Sequence, residues 1–295
     1  MATNITGVGT ATHDADAFVP QMWASGVENY IKQAFICANL VNDVSFMVSE
    51  AGDTINIPRV TENTATTTTI SSFTFATSAI NYSAPNDATG TLTVDQMTYY
   101  ARIYPDIVKI QANPDMLSLH TEAMAYALGK KIESYVGSLL TTYSSDHTEH
   151  SLAADNVVNA AELGLIVKSL IAANIDPADG YVMVVGAEVM SDLMTLDQFV
   201  SADYVKDQYV WQNGLRGSLL GMPVYATPTV AASDGTANHV IGCIYKPSNI
   251  FLAYSQKPTM VSQYSVDFLG TKVAAHTYYG GVVAVPKQLV QITNP

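Results

Sequence analysis

The stretch from Asn113 to Thr141, NPDMLSLHTEAMAYALGKKIESYVGSLLT, limits the possible folds more than any other part of the chain. Asn113 is a good N-cap, Pro114 suits the first helical position, and Asp115 complements the positive end of the dipole. Leu117, Met124, Leu128, Ile132, Tyr135 and Leu139 recur at spacings of three, four and seven, which predicts one helix over 113–141 with a single apolar face. Glu122, Tyr126, Lys130 and Glu133 fall on the opposite face. Lys131 lies nearer the apolar side, where its ammonium is expected to snorkel or to be paired. At about 1.5 Å per residue such a helix is roughly 40 Å long. It can span a compact domain and carry other layers.

Composition restricts what those layers face. The 295 residues suffice for one large domain or two ordinary ones. Charged residues are 13% of the chain, about half the usual share, beside 48% apolar residues. Thr, Ser, Asn, Ala and Tyr must then cover much of the surface, as expected where large areas face other subunits. The formal net charge is −13, and among the basic residues only Lys130 and Lys131 are adjacent, so no patch can neutralise a phosphate backbone. Direct nucleic-acid binding is not expected; an acidic wall that repels nucleic acid is compatible with the balance. Cys37 and Cys243 match no metal spacing and argue against a disulfide framework, with a single bridge as the alternative. No apolar run reaches transmembrane length, and no Lys or Arg before Lys32 marks a signal peptide. A soluble protein kept in a reducing cytoplasm is the expectation.

Residues 1 to about 18 are small, polar and aperiodic, and read as an extended arm. In that arm His13, Asp14 and Asp16 read as a solvated run. A short helix is expected from about Pro20 through Phe35, with Trp23, Val27, Tyr30 and Ile31 on one side. Gly52 to Arg59 alternates Ile55 and Ile57 with polar neighbours, a half-buried strand ended by Pro58. From Thr61 to Thr77 the chain is dominated by Thr and Ser, with Phe73 and Phe75 alternating. A turn-rich stretch holding Pro85, Asn86, Asp87 and Gly90 follows, and the return alternates again through Leu92 and Val94. From Met97 the apolar positions turn odd (Met97, Tyr99, Ala101, Ile103), which suggests a bulge or strong twist. Together these predict a long two-stranded hairpin. A lone hairpin is marginal in water, so this one is expected to project and be stabilised by a neighbouring molecule. No Lys or Arg lies between Arg59 and Arg102.

Beyond the long helix, His147, Glu149 and His150 are potential ligands but lack the spacing of a zinc helix, and a polar loop is the better reading. From Asp155 the pattern becomes α/β. Asp155 or Asn156 should cap a helix running to about Ala173; Tyr181 to Val185 reads as a buried strand and Ala187 to Met194 as a helix. Asp203 to Gly217 reads as a long loop carrying Tyr204, Tyr209, Trp211 and Arg216, followed by strands over Met222–Thr227, His239–Tyr245 and Ile250–Tyr254. Three more strands are expected over Val261–Val266, Lys272–Tyr279 and Gln288–Ile292. The Gly186 turn lacks both the glycine fingerprint and the Lys of a phosphate loop. No nucleophile elbow and no local Ser/His/Asp or Cys/His grouping occurs, so no catalytic, cofactor-binding or metal residue is assigned.

Taken in order, the stretches ANLVNDVS with GDTINIPRV, IVKIQANPDMLSLHTEAMAYALGKKIESYV, YVMVVGAEVMSDLM with GLRGSLLGMPVYAT, and QYSVDFLGTKVAAHTYYGGVVAVPKQLVQI resemble the major capsid proteins of tailed bacteriophages. That family implies an α+β class, the Hong Kong 97-type capsid fold. Residues 1–18 would be its N-terminal arm and 52–102 its extended loop lying over the adjacent subunit. Residues 19–51, 103–154 and 255–295 would form a peripheral domain around the spine helix 113–141. Residues 155–254 would form an α/β axial domain, whose loop with Tyr204, Tyr209, Trp211 and Arg216 meets its copies at the five-fold and six-fold axes. The implied function is structural: pentamers and hexamers of the chain close into an icosahedral shell around double-stranded DNA, without enzymatic activity, sequence-specific DNA binding, cofactor or membrane. Its place would be the virion, assembled in the host cytoplasm.

Two departures narrow the implication. Some members cross-link through a Lys on the extended loop, and this chain has none between Arg59 and Arg102, so a non-covalent shell is expected. Some carry a long N-terminal scaffolding segment; here the first helix is reached by about Pro20, so a separate scaffolding protein is expected, besides a portal and a decoration protein as further partners. The alternatives are an encapsulin-type nanocompartment shell, another virion structural protein, or a small-molecule enzyme.

Overall fold

The computed structural model describes residues 35–48, 54–60, 65, 67, 87–106, 116–153, 155–196, 216–230 and 238–295. The chain divides after Lys32, and all of these belong to the unit Gln33–Pro295. The elements in order are β1 (Asn42–Asp43), β2 (Thr54–Val60), β3 (Asp87–Thr93), β4 (Gln96–Pro105), α1 (Met116–Thr141), β5 (Thr148–Ser151), α2 (Ala160–Ala172), β6 (Val182–Val185), α3 (Ala187–Met194), β7 (Arg216–Leu219), β8 (Met222–Ala226), β9 (Val240–Tyr245), β10 (Ile250–Ser265), β11 (Gly270–Val283) and β12 (Val290–Thr293). They build a four-stranded sheet of order β1-β10-β11-β4, a six-stranded sheet of order β5-β12-β9-β6-β8-β7, and the β2-β3 pair.

The helix α1 ties the two larger sheets together. Met124 and Leu128 pack with Tyr104, Val273 and Ala275 of the four-stranded sheet. One to three turns on, Ile132, Val136 and Leu140 pack with Val182, Val184, Val240 and Cys243 of the six-stranded sheet. Val136 and Leu140 are fully buried and extend the expected stripe, whereas Tyr135 and Leu139 are only half-buried. Asn113, Pro114 and the side chain of Leu117 lie outside the described residues. The last turn has no basic residue near its carbonyls. Gln291 of β12 supplies the cap instead, its Nε2 donating to the carbonyls of Leu140 (2.8 Å) and Thr142 (2.9 Å). The Leu140 carbonyl also accepts from the Cys243 thiol at 3.3 Å, so side chains satisfy carbonyls that the helix end leaves free.

The six-stranded sheet is covered on both faces. Val182 and Val184 of β6 face the α1 layer, while Met183 and Val185 face Ile166 and Leu170 of α2 and Val189 and Leu193 of α3. This period of two, with apolar residues at every position, is what a strand buried on both sides requires. The caps differ from expectation in one place. Asn159, not Asp155 or Asn156, caps α2, accepting from the amides of Ala161 and Glu162 at 3.0 Å each. Asn156 is used in a left-handed turn (φ 56°) that Asn tolerates better than most residues.

Topology redraws several boundaries. The strand expected over Ile250–Tyr254 is the beginning of β10, which runs sixteen residues and pairs with β11 from Ile250–Val283 to Ser265–Gly270, with register shifts between Tyr254 and Thr259. The C-terminal strand β12 and the short β5 join the six-stranded sheet, not the sheet that α1 lies on first. Pro58 does not end its strand: β2 continues to Val60, and a two-stranded ribbon leaves one edge free for a residue without an N–H.

The expected hairpin is present at its root, with Thr54 opposite Thr93 and Val60 opposite Asp87. It returns only as far as Thr93. Across Val94 and Asp95 the chain leaves the ribbon and enters β4, which pairs with β11 from Gln96–Tyr279 to Pro105–Gly270. The change to odd apolar positions is therefore a change of sheet, not a bulge. The root is held by Leu92 and Val94 packed with Val44 and Ala253. β11 passes it so closely that a Cβ on Gly280 would lie 2.0 Å from the Thr93 carbonyl oxygen. Only glycine permits that approach.

Candidate assembly surfaces

Among the described residues the surface is most unusual on the four-stranded sheet. Alternation places Val273, Ala275, Thr277 and Tyr279 of β11 toward α1, all buried. The residues between them point away, and by register they share that far face with Met97, Tyr99, Ala101 and Ile103 of β4 and with Val261 of β10. Much of it is open: Met97 is 55% exposed, Tyr99 68% and Val261 52%, while Tyr278 beside them packs on the hairpin root with Leu92 and Val94. The turn between β10 and β11 continues the patch with Val266, Phe268 and Leu269, each at least 60% exposed. Lys272 holds its ammonium 4.6 Å from the Phe268 ring centroid, and Tyr264 donates its hydroxyl to Asp106 at 2.9 Å, so the turn is braced while its apolar side chains face outward. Among the described residues, seven of the sixteen exposed large apolar side chains lie on this face and this turn. Such a continuous patch marks an interaction surface.

The hairpin residues singled out from sequence are placed only in part. Asp87 opens β3 opposite Val60, and Gly90 stands opposite Ile57. Phe73, Phe75, Pro85 and Asn86 lie outside the described residues, as do Tyr204, Tyr209 and Trp211 of the long loop. Arg216 belongs not to that loop but to β7, where it pairs with Tyr225.

The polar residues of the interior form no reactive arrangement. No group of three His, Cys, Asp or Glu among the described residues could hold a metal. β5 splits the suspected trio, sending Glu149 to Tyr143 and Thr293 and His150 inward to Glu162 (3.0 Å). Ser169 stands 3.3 Å from the other ring nitrogen of His150 but donates its hydroxyl to the Leu165 carbonyl, so it is not held as a nucleophile. Gly186 donates its amide to the Ile241 carbonyl at 3.1 Å and is not free to cradle a phosphate. Cys37 and Cys243 are free thiols; burial pushes both far up, with the Glu133 carboxylate a further cause at Cys37, and each stays protonated. Burial also raises Tyr254 to about 12, helped by Asp43 and Tyr279.

One assignment is reversed. Glu133, read as part of the polar face of α1, is fully buried and accepts amides of the segment at 36–38. Tyr126 on the same side stacks on Phe35, while Glu122, Lys130 and Lys131 are exposed. A helical wheel shows only two faces, and the third contact of α1, with irregular backbone, leaves no periodic signal.

Comparison with known proteins gives the family and the fold. The family described as Phage capsid protein matches residues 91–292. A structure from Mycobacterium phage Che8 is similar with a TM-score of 0.76 at 22% identity, over 93% of this chain and 97% of that one. The capsid of the cyanophage P-SCSP1u aligns over 100% of this chain and 97% of its own, with TM-score 0.71 and 14% identity. The capsid of cyanophage Pam1 aligns over 97% and 99%, with TM-score 0.68 and 13% identity. No curated protein matches the sequence.

Proposed function

This chain belongs to the phage capsid protein family, and from that premise we propose that it assembles as pentamers and hexamers into an icosahedral shell enclosing double-stranded DNA. It is a major capsid protein with the Hong Kong 97 fold, a structural subunit that associates with its own copies in the capsid of a virion. The observation that carries the reading is the open face of the four-stranded sheet: an apolar surface on Met97, Tyr99, Ile103 and Val261 that a soluble monomer would keep covered.

In this reading the hairpin of 52–102 lies on an adjacent subunit, and the loop bearing Tyr204, Tyr209 and Trp211 contacts its copies around the symmetry axes. The shell is held without covalent cross-links, because residues 60–101 contain no Lys. The net charge of −13 repels packaged DNA from the wall. Assembly takes place in the host cytoplasm with a separate scaffolding protein, a portal and a decoration protein, and no enzymatic step is assigned. The test is electron microscopy of the chain expressed with its neighbouring genes. Closed polyhedral shells are expected, dissolving to single subunits in hot SDS. A discrete monomer that binds a small molecule overturns the reading.

A further inference from the structure

We propose that Tyr126, Gly129 and Glu133 of α1 form a docking slot that fixes the register of the segment Phe35–Ala38, and that the shell closes only when this slot is filled. The second half rests on the capsid reading; the first does not.

Three contacts of different kinds meet there. Phe35 stacks on Tyr126, ring centroids 5.4 Å apart and planes at 21°. Beneath the ring lies Gly129, where a Cβ would stand 2.6 Å from the Phe35 edge. One turn further, Glu133 accepts three consecutive amides: Ile36 (3.0 Å) and Cys37 (2.9 Å) on Oε1, and Ala38 (2.8 Å) on Oε2. Spacings of three and four put all three residues on one stripe of the helix. The stripe differs from the one that faces the sheets.

Packing alone would not require this residue set. A buried carboxylate is expensive to dehydrate, and an apolar side chain would fill the space more simply. What the carboxylate adds is register. Sliding the segment by one residue would leave a carboxylate oxygen or an amide unpaired in the interior, a penalty that a greasy contact does not impose. The glycine recess and the stacked ring repeat the same restriction by shape. From the slot the segment runs through Cys37 to β1 and Val44, on the four-stranded sheet. An error of register here would be passed to the sheet that carries the open face.

The test uses the full chain in two forms, wild type and Glu133→Gln, with two readouts: amide hydrogen exchange over 35–40 and the yield of closed shells by electron microscopy. The carboxamide keeps the size but turns an N–H toward an amide donor. Protection at 36–38 is expected to fall at least tenfold while the sheets stay protected, and closed shells to fall by a similar factor in favour of open or irregular ones. Unchanged protection overturns the slot. Lost protection with normal shells overturns its role in closure. If Glu133→Gln fails to fold, Phe35→Leu, which removes only the stacked ring, carries the same two readouts. If the wild type forms no shells the capsid reading fails, while the exchange result still decides the slot.

Discussion

The two large sheets of this molecule use the same alternation of side chains and reach opposite ends. In the six-stranded sheet every residue of β6, β9 and β12 is buried, with the α1 layer on one face and α2 and α3 on the other. Among the described residues the far face of the four-stranded sheet is covered where Phe251, Ala253 and Tyr278 meet the hairpin root, while Met97, Tyr99, Ile103 and Val261 stay exposed, as does β10 from Lys257 through Tyr264. The first is a complete core made by one chain. The second stops halfway, with apolar residues already in place on the uncovered side. A sheet face bearing Tyr99, Ile103 and Val261 is favourable in water only when something covers it. The difference is physical: one half is a closed core, and the other keeps apolar residues at its surface.

Substitutions sharpen this contrast, taken here in falling order of their effect on the subunit. Ile244→Asp places a carboxylate in the centre of the six-stranded sheet, where no cation is packed against it among the described residues. A loss of more than about 4 kcal/mol is expected, seen as insoluble protein with no cooperative unfolding transition. A soluble, folded Ile244→Asp would show that the closed sheet is not the source of stability. Gly280→Ala acts where the four-stranded sheet meets the hairpin root, driving a Cβ into the Thr93 carbonyl. A loss of about 1–3 kcal/mol is expected, and exchange should rise at β2 and β3 before it rises at β9. Gln291→Leu removes the side-chain amide that donates to the Leu140 and Thr142 carbonyls and leaves Leu140 with the Cys243 thiol. A cost of about 1–3 kcal/mol follows from leaving those groups unmatched, read as a lower midpoint in chemical unfolding.

The same contrast explains what was legible beforehand. Period alone located α1, β6, α3 and most strands, because Met124, Leu128 and Ile132 or Val182 to Val185 meet regular partners. It misplaced the junctions. The odd apolar positions of β4 were visible in the sequence, yet they signified a move to a second sheet, and pairing between strands far apart in the chain has no local signature. That β12 crosses back beside β9 rather than following β11 is invisible for the same reason. Glu133 falls on the polar face by its spacing alone; its partners are backbone amides of irregular chain, which no pattern of residue types announces. The hairpin tip and the long loop with Tyr204, Tyr209 and Trp211 remain readings of sequence and resemblance.

The smallest expected effect on the subunit separates the two sheets most clearly. Tyr99→Thr with Val261→Thr keeps residues that favour strands and removes apolar area from the open face alone. Neither side chain packs in a buried cluster, so unfolding of the isolated subunit should change by no more than about 0.5 kcal/mol. Assembly should fail, with soluble subunits replacing shells in sedimentation. An equal pair of polar substitutions in β6 cannot give that result, since there folding and association are lost together. Shells that form normally from the double variant would mean that the exposed face is tolerated rather than used. A subunit that unfolds would mean that the face is part of its own core. Between these outcomes lies the one property that distinguishes a surface kept for neighbours: it matters to nothing until the neighbour arrives.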